Sequence, residues 1–331
     1  MKAQAIFLTG KSISPRIEIK EFNLLEDLGE NQLLIKVNYS GINFADVHMY
    51  KGLYQDAPKL PYIPGYEFCG TVLKVGKAVN KFKVGDKVMG GTKFGSYSSH
   101  LIVDSWQVIN IPNHMSLENS GGFIVSYLTA FICLFEIARV RNGDKILIGP
   151  STGSLGIHLI ELLKNYDVKI FGLTSSPSKK KLLEDKGIKA FTFEEFENSS
   201  ESNFDIAINA RGSNIQLMYE RLTKSGRLVC LGAADMISKK KSIFKILSTV
   251  LKLKKFSTID LMNDNKGVHG LNVLRYFDSP EVLIKALSKI NDFNYSPNIF
   301  KIYSPHEIET AYNELIDKKT IGKNLIDWSK I

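Results

Sequence analysis

The chain has 331 residues, 44% of them hydrophobic and 23% charged, a balance that suits a soluble globular protein with room for two full cores and excludes a disordered or fibrous chain. Its net charge of +9 is local: residues 238–255, SKKKSIFKILSTVLKLKK, hold seven lysines and no acid, which leaves the remainder at +2 and argues against a general nucleic-acid surface. The three cysteines, Cys69, Cys133 and Cys230, lie far apart with no C-x-x-C pair, which excludes a disulfide framework and a Cys-rich structural zinc lobe and predicts buried free thiols.

The opening MKAQAIFLTG is too short in its apolar part for a signal peptide, so a cytoplasmic protein is expected. The first 110 residues read as β-rich. Alternation in QLLIKVNYS, the turn-flanked EFCGTVLKVG, VGDKVMGG and SYSSHLIVD predict short strands separated by Gly, Pro and Asp, and hence a small barrel-like or sandwich domain. GFIVSYLTAFICLF (122–135) falls short of the roughly 20 residues that cross a bilayer and reads as a buried helix.

From about residue 123 the rhythm changes. KILIGP leads to a helix SLGIHLIELLKNY; VKIFGLT to SPSKKKLLEDKG; a short KAFTF follows, then FDIAINA with NIQLMYERLTKSG, and finally GRLVCLGA. Short strands alternating with helices predict a parallel, doubly wound sheet of the Rossmann type, because parallel neighbours need crossover connections. VHGLNVLRYF (268–277) has the composition of a late strand near a sheet edge, and an exposed edge predicts pairing between two copies of the chain. The tail, with helices at SPEVLIKALSKIN and HEIETAYNELIDKK and strands at NIFKIYS and KNLIDW, belongs with the first domain.

KILIGPSTGSLGIHLIELL sets a strand, a Gly-containing turn and an amphipathic helix in succession, the arrangement that binds a dinucleotide pyrophosphate. Gly149, Gly153 and Gly156 permit close approach of backbone and phosphate, and the helix start at Ser154 and Leu155 offers N–H groups and the positive dipole end. The second strand ends FGLTSSPSKKK without the acid that binds the ribose hydroxyls of NAD; Thr174, Ser175 and Lys179 suit a 2′-phosphate instead, so NADPH is the expected cofactor. His48, His100, His114 and His158 stand in no recognised order with a Ser or Cys nucleophile, which excludes a hydrolase of known type.

In the basic segment, Ile243, Phe244, Leu247, Val250 and Leu251 recur at helical spacing among the lysines. Such a helix serves as a lid, as a dimer-edge helix, or as a peripheral membrane contact.

GINFADVHMYKGLY (41–54), IPGYEFCGTVLKVG, FKVGDKVMG, GPSTGSLG and the terminal TIGKNLI together resemble the medium-chain dehydrogenase/reductase superfamily, and within it the zinc-free quinone oxidoreductases, most of all the vesicle amine transport protein-like group. The resemblance covers nearly the whole chain and implies a GroES-like catalytic domain from residues 1–122 and 276–331 and an NADP-binding Rossmann domain from 123–275. Zinc-bearing members read G-I-C-H-S-D where this chain reads G-I-N-F-A-D. By that comparison the three ligand positions hold Asn43, Tyr66 and Val125, a set that cannot bind catalytic zinc, and no metal is expected.

Without a Lewis acid the substrate must accept hydride readily, which points to a quinone or an α,β-unsaturated carbonyl. The resemblance further implies that Asn43 and Tyr54 face the nicotinamide end, that Thr129 touches the carboxamide, that Gly232 and Ala233 lie beside the ring, that Gly322 and Lys323 reach the cofactor, and that the chain forms a homodimer. Ser154, Phe193, Asn209 and Arg211 depart from the usual pattern. These departures keep open a second reading, a membrane-associated binding or transport protein with little catalysis.

Overall fold

A computed structural model of the chain describes residues 1–11, 14–25, 27–54, 56–232, 256–296 and 298–331. It divides into two compact units, Met1–Leu128 with Leu274–Ile331, and Thr129–Val273.

The first unit is built on antiparallel strands. Lys2–Lys11 pairs with Ser14–Asn23 as a long hairpin. The main sheet runs in the spatial order Ile299–Tyr303, Lys323–Asp327, Gln32–Ile42, Glu67–Val75, Lys87–Gly91, Val108–Asn110, with His100–Asp104 also on Gln32–Ile42. Along Gln32–Ile42, Leu33, Leu34, Ile35 and Val37 are all buried, so this central strand is covered on both faces over much of its length. Two register pairs position the site. Asn324 lies opposite Ile42, so one further step sets Lys323 opposite Asn43; Ser40 lies opposite Phe68, so the next step sets Gly41 opposite Glu67.

The second unit holds a wholly parallel six-stranded sheet in the order Lys189–Thr192, Lys169–Thr174, Lys145–Gly149, Phe204–Asn209, Leu222–Cys230, Gly267–Gly270. This is the doubly wound dinucleotide-fold order, and the chain reverses its direction of travel across the sheet between Lys145–Gly149 and Phe204–Asn209. Ile146, Leu147, Ile206, Ala207, Leu228 and Val229 are fully buried, which fits strands covered on both faces. Helices Ser154–Leu163, Pro177–Glu184, Phe193–Glu197 and Ile215–Glu220 supply that cover.

Two expectations change. The strand expected over 268–277 spans only Gly267–Gly270, and Val273–Asp278 is a 3₁₀ helix. Its neighbour ends at Cys230, opposite Gly270, so the ladder has nothing further to pair with, and Leu271 and Val273 are buried rather than laid along an exposed edge. The helix expected at 122–135 is an α-helix over Ile124–Phe131 continued by a π-helical stretch over Ile132–Ala138, which ends at Arg139 in the left-handed region.

Gly156 shows how tightly the second unit is closed at its first turn. A Cβ there would lie 2.5 Å from the backbone of Ser151. Gly156→Ala should therefore lower stability by about 1–3 kcal/mol, read as a shifted midpoint in chemical denaturation.

Candidate active site

In the first unit, three other stretches of chain converge on the carboxylate of Glu67, which is fully buried. The ammonium of Lys323, itself 3% exposed, lies 2.5 Å from Oε1. The carboxamide of Asn43 donates through Nδ2 to the same oxygen at 2.8 Å and accepts from Lys323 Nζ through Oδ1 at 2.7 Å. The backbone N–H of Val125 donates to Oε2 at 2.9 Å. Every charge in the cluster thus has an opposite charge and at least one further hydrogen bond, which is what allows an ion pair to be buried at all.

Glycines make the room. A Cβ on Gly41 would stand 2.5 Å from Glu67 Oε1, and one on Gly122 would stand 2.4 Å from Lys323 Cγ. Gly322 has φ +89, and a Cβ there would meet the carbonyl of Asn298 at 2.2 Å, so only glycine makes the turn that feeds Lys323 inward.

Asn43 also begins the helix Phe44–Tyr50, its N–H donating to Asp46 Oδ2 at 2.8 Å. Asp46 is fully buried, and burial pushes its carboxyl up to about 7 against the lowering effect of the Asn43 N–H; the phenols of Tyr97 and Tyr312 lie beside it. Burial holds His48 down at about 4. Tyr66 is buried, donates its hydroxyl to Met49 Sδ at 3.2 Å, and has Tyr54 as a hydrogen-bonding neighbour. The structure thus brings Asn43 to Lys323 through Glu67, and Tyr54 to the adjacent residue Tyr66.

At the three positions that the resemblance makes metal ligands, Asn43 is engaged with Glu67 and Lys323, Tyr66 with Met49, and Val125 offers its main-chain N–H. Among the described residues no three His, Cys, Asp or Glu side chains come together as a metal-holding group.

In the second unit, the strand Lys145–Gly149 turns through Pro150–Gly153 into the helix Ser154–Leu163, whose N-cap is Gly153. Among the described residues no side chain caps this helix and nothing lies within 4 Å of where a Cβ on Gly153 would be, which leaves room there for a phosphate. Ser151 ties the turn to the sheet: its N–H donates to Leu173 O at 2.8 Å and its hydroxyl to Ile148 O at 2.7 Å. Leu155 and Gly156 form the first turn of the helix.

Thr174 is buried at the end of the second strand, 3.4 Å from the hydroxyl of Thr152, while Ser175 is exposed. Ser176 caps the helix Pro177–Glu184. Burial lowers the pKa of Lys179, Lys180 pairs with Glu195 at 3.0 Å, and Lys181 is exposed.

After the fourth strand, Asn209 closes its own turn, accepting from the N–H groups of Arg211 and Gly212. The Arg211 guanidinium lies 4.0 Å from the centre of the Phe193 ring, and Phe193 packs in the core of this unit. Gly232 sits against the carbonyl of Ala210, and Thr129, partly exposed, lies one helical turn beyond Val125. Ala233 and the basic segment 238–255 lie outside the described residues. Sequence reasoning passed over the hub role of Glu67 and the turn-closing hydroxyls of Ser151, Thr152 and Ser176; an acid inside the apolar run YEFCG was the available signal for the first.

Asp46 and His48 generate opposed pH dependences. Folded Asp46 keeps its proton to about pH 7 against an ordinary value of 3.8, so its contribution to stability is complete in acid and falls away as pH rises toward 7. Folded His48 resists protonation down to about 4 against 6.5, so its contribution is complete above that value and is lost as pH falls. Between roughly pH 4.5 and 6.5 the two slopes cancel. Asp46→Asn should expose a loss of stability on acidification across that window, and His48→Gln a gain. Urea midpoints measured at several pH values check this, and three parallel profiles would refute it.

The alcohol dehydrogenase GroES-like domain family matches residues 29–113. The chain is 29% identical over 338 residues to the synaptic vesicle membrane protein VAT-1 homolog of Danio rerio, covering 98% of this chain and 69% of that protein. It is 28% identical to quinone oxidoreductase-like protein 2 of Mus musculus, covering 90% of this chain and 85% of that protein. The Escherichia coli quinone oxidoreductase, solved as a complex with NADPH, superposes with a TM-score of 0.81 at 20% identity, over 98% of this chain and 99% of that one. With its GroES-like segment and its doubly wound sheet, the chain has the two-part fold of the quinone oxidoreductase structures and is similar in sequence to VAT-1 homologues and quinone oxidoreductase-like proteins.

Proposed function

We propose that the protein is an NADPH-dependent oxidoreductase that reduces a quinone or an α,β-unsaturated carbonyl without a metal. The observation that carries this reading is the set around Glu67: the three positions that would ligate zinc hold a carboxamide, a phenol and a valine, and the local positive charge is the ammonium of Lys323. A substrate whose negative charge delocalises over a conjugated system suits a site whose polar groups are hydrogen-bond donors and a fixed cation.

The residues of the second unit fit the cofactor's phosphates. Gly153 leaves the helix start open, Gly156 keeps helix and turn close, and Ser154 and Leu155 lie in the first turn. Thr174, Ser175 and Lys179, with no acid at the end of that strand, favour the 2′-phosphate of NADPH. When bound, the reduced nicotinamide supplies the hydride. By the resemblance, Asn43 and Tyr54 would hydrogen-bond the oxygen on which charge develops, and Thr129, Gly232, Ala233, Gly322 and Lys323 would be the residues that hold or support the nicotinamide end.

A second reading, a membrane-associated binding protein with little turnover, draws on the vesicle-membrane names of relatives and on the seven lysines of 238–255. Among the described residues no helix is long and apolar enough to cross a membrane.

Purified protein should bind NADPH at least about tenfold more tightly than NADH, the worth of one charge-assisted contact to the phosphate. It should oxidise NADPH with a quinone or alkenal, unaffected by chelators. Lys179→Ala should weaken NADPH and leave NADH unchanged. Equal affinities would refute the cofactor assignment, and binding without turnover against the whole panel would favour the second reading.

Among the described residues the strand Gly267–Gly270 has one neighbour in its sheet, and pairing there with a second copy is the proposed dimer contact. Light scattering at micromolar concentration should give the mass of two chains; the mass of one would exclude it.

A further inference from the structure

The hydrogen-bonding roles around Asn43 follow from chemistry. An ammonium carries only donors and an ionised carboxylate only acceptors. Lys323 Nζ therefore faces Oδ1, at 2.7 Å, and Glu67 Oε1 faces Nδ2, at 2.8 Å. A flipped carboxamide would set N–H against ammonium and carbonyl against carboxylate, two repulsive contacts in a place sealed from water, since Glu67 and Lys323 are 0% and 3% exposed. One N–H of Nδ2 goes to Glu67. The other has the Gly41 carbonyl at 3.5 Å, at the outer limit of a hydrogen bond, so a nearer acceptor captures it.

Building on the reductase reading above, we infer that Glu67 and Lys323 are positioning residues that lock the Asn43 carboxamide in one orientation, so that what it offers a reacting molecule is an N–H for an acceptor oxygen. Lys323 also draws electron density from Oδ1, which strengthens the opposite N–H as a donor, because hydrogen bonds in series polarise one another. The matching substrate carries a carbonyl oxygen conjugated to the carbon that takes the hydride. With a bound reduced nicotinamide supplying hydride to that carbon, the displaced π pair would move onto the oxygen, where the Asn43 N–H would meet the new charge, and a proton from water would complete the two-electron reduction. In this assignment Lys323 acts through Asn43.

A double-mutant cycle tests the lock. Glu67→Gln with Lys323→Met removes both charges at near-constant volume and permits either carboxamide orientation. In the parent chain this pair should lower kcat about tenfold, as expected of a misoriented group, with the KM for NADPH little changed. In the Asn43→Ala background the same pair should change kcat by less than about twofold, because its effect runs through Asn43. An equal loss in both backgrounds overturns the inference. Lys323→Arg, which keeps the charge but moves the donors, is the second variant and should also lower kcat.

A readout independent of turnover uses protein labelled with ¹⁵N-asparagine. The side-chain NH₂ pair of Asn43, assigned by its loss in Asn43→Ala, should exchange slowly with solvent in the parent and about tenfold faster in the neutral pair variant. Unchanged exchange overturns the lock. A protected amide in a chain that oxidises no NADPH would uphold the lock and refute the reductase reading, so the two failures are distinct.

Discussion

The buried ion pair between Glu67 and Lys323 is the constraint around which the first unit is arranged. Bringing two charges out of water costs several kcal/mol each, and their attraction offsets that only when the remaining lone pairs and protons are also met. Here Asn43 and the N–H of Val125 meet them. The four groups come from the end of one strand, the start of a second, the start of a third and the first turn of a helix, so satisfying the pair aligns all four elements. Gly41 and Gly122 follow from the same requirement, since a side chain at either would occupy the space of the Glu67 carboxylate or the Lys323 stem.

A second carboxylate nearby meets a different fate. Asp46 has one backbone donor and two phenols for company, and burial outweighs these and the lowering effect of the Lys323 charge to keep its proton on to about pH 7. The contrast with Glu67 shows that environment, rather than residue type, decides what a buried acid contributes. Asn43 joins the two: its backbone N–H serves Asp46 and its side chain serves Glu67. One residue therefore links the cap of a helix to the charge at the centre of the site.

The second unit is organised by a different rule. Parallel strands all end on the same side, so Gly149, Thr174, Asn209 and Cys230 end at a common edge, and the reversal of strand order opens the sheet there between its first and fourth strands. The turn after Gly149 is held by Ser151 against the end of its own strand and that of the neighbouring strand Lys169–Thr174, and the turn after Asn209 by that residue's own amide. Rigid turns at the open edge are what a phosphate loop needs, since its backbone N–H groups must already point the right way.

Much of this was legible in the sequence. Alternation with turn residues marked the antiparallel strands, the strand–helix rhythm after residue 123 marked the parallel sheet, and the Gly-containing stretch after KILIGP marked the turn from strand to helix, because periodicity and turn chemistry are local properties. The expectation of a metal-free site likewise came from residue types alone, those at Asn43, Tyr66 and Val125. Tertiary structure alone decided the rest. Lys323 looked like a cation near the end of the chain available to a cofactor; strand register sets it opposite Asn43, across 280 residues of sequence, and directs it onto Glu67. The apolar run VHGLNVLRYF looked like one strand; where its neighbour ended limited it to Gly267–Gly270. Both outcomes depend on which segments become neighbours, and no local pattern of charge or hydrophobicity encodes that.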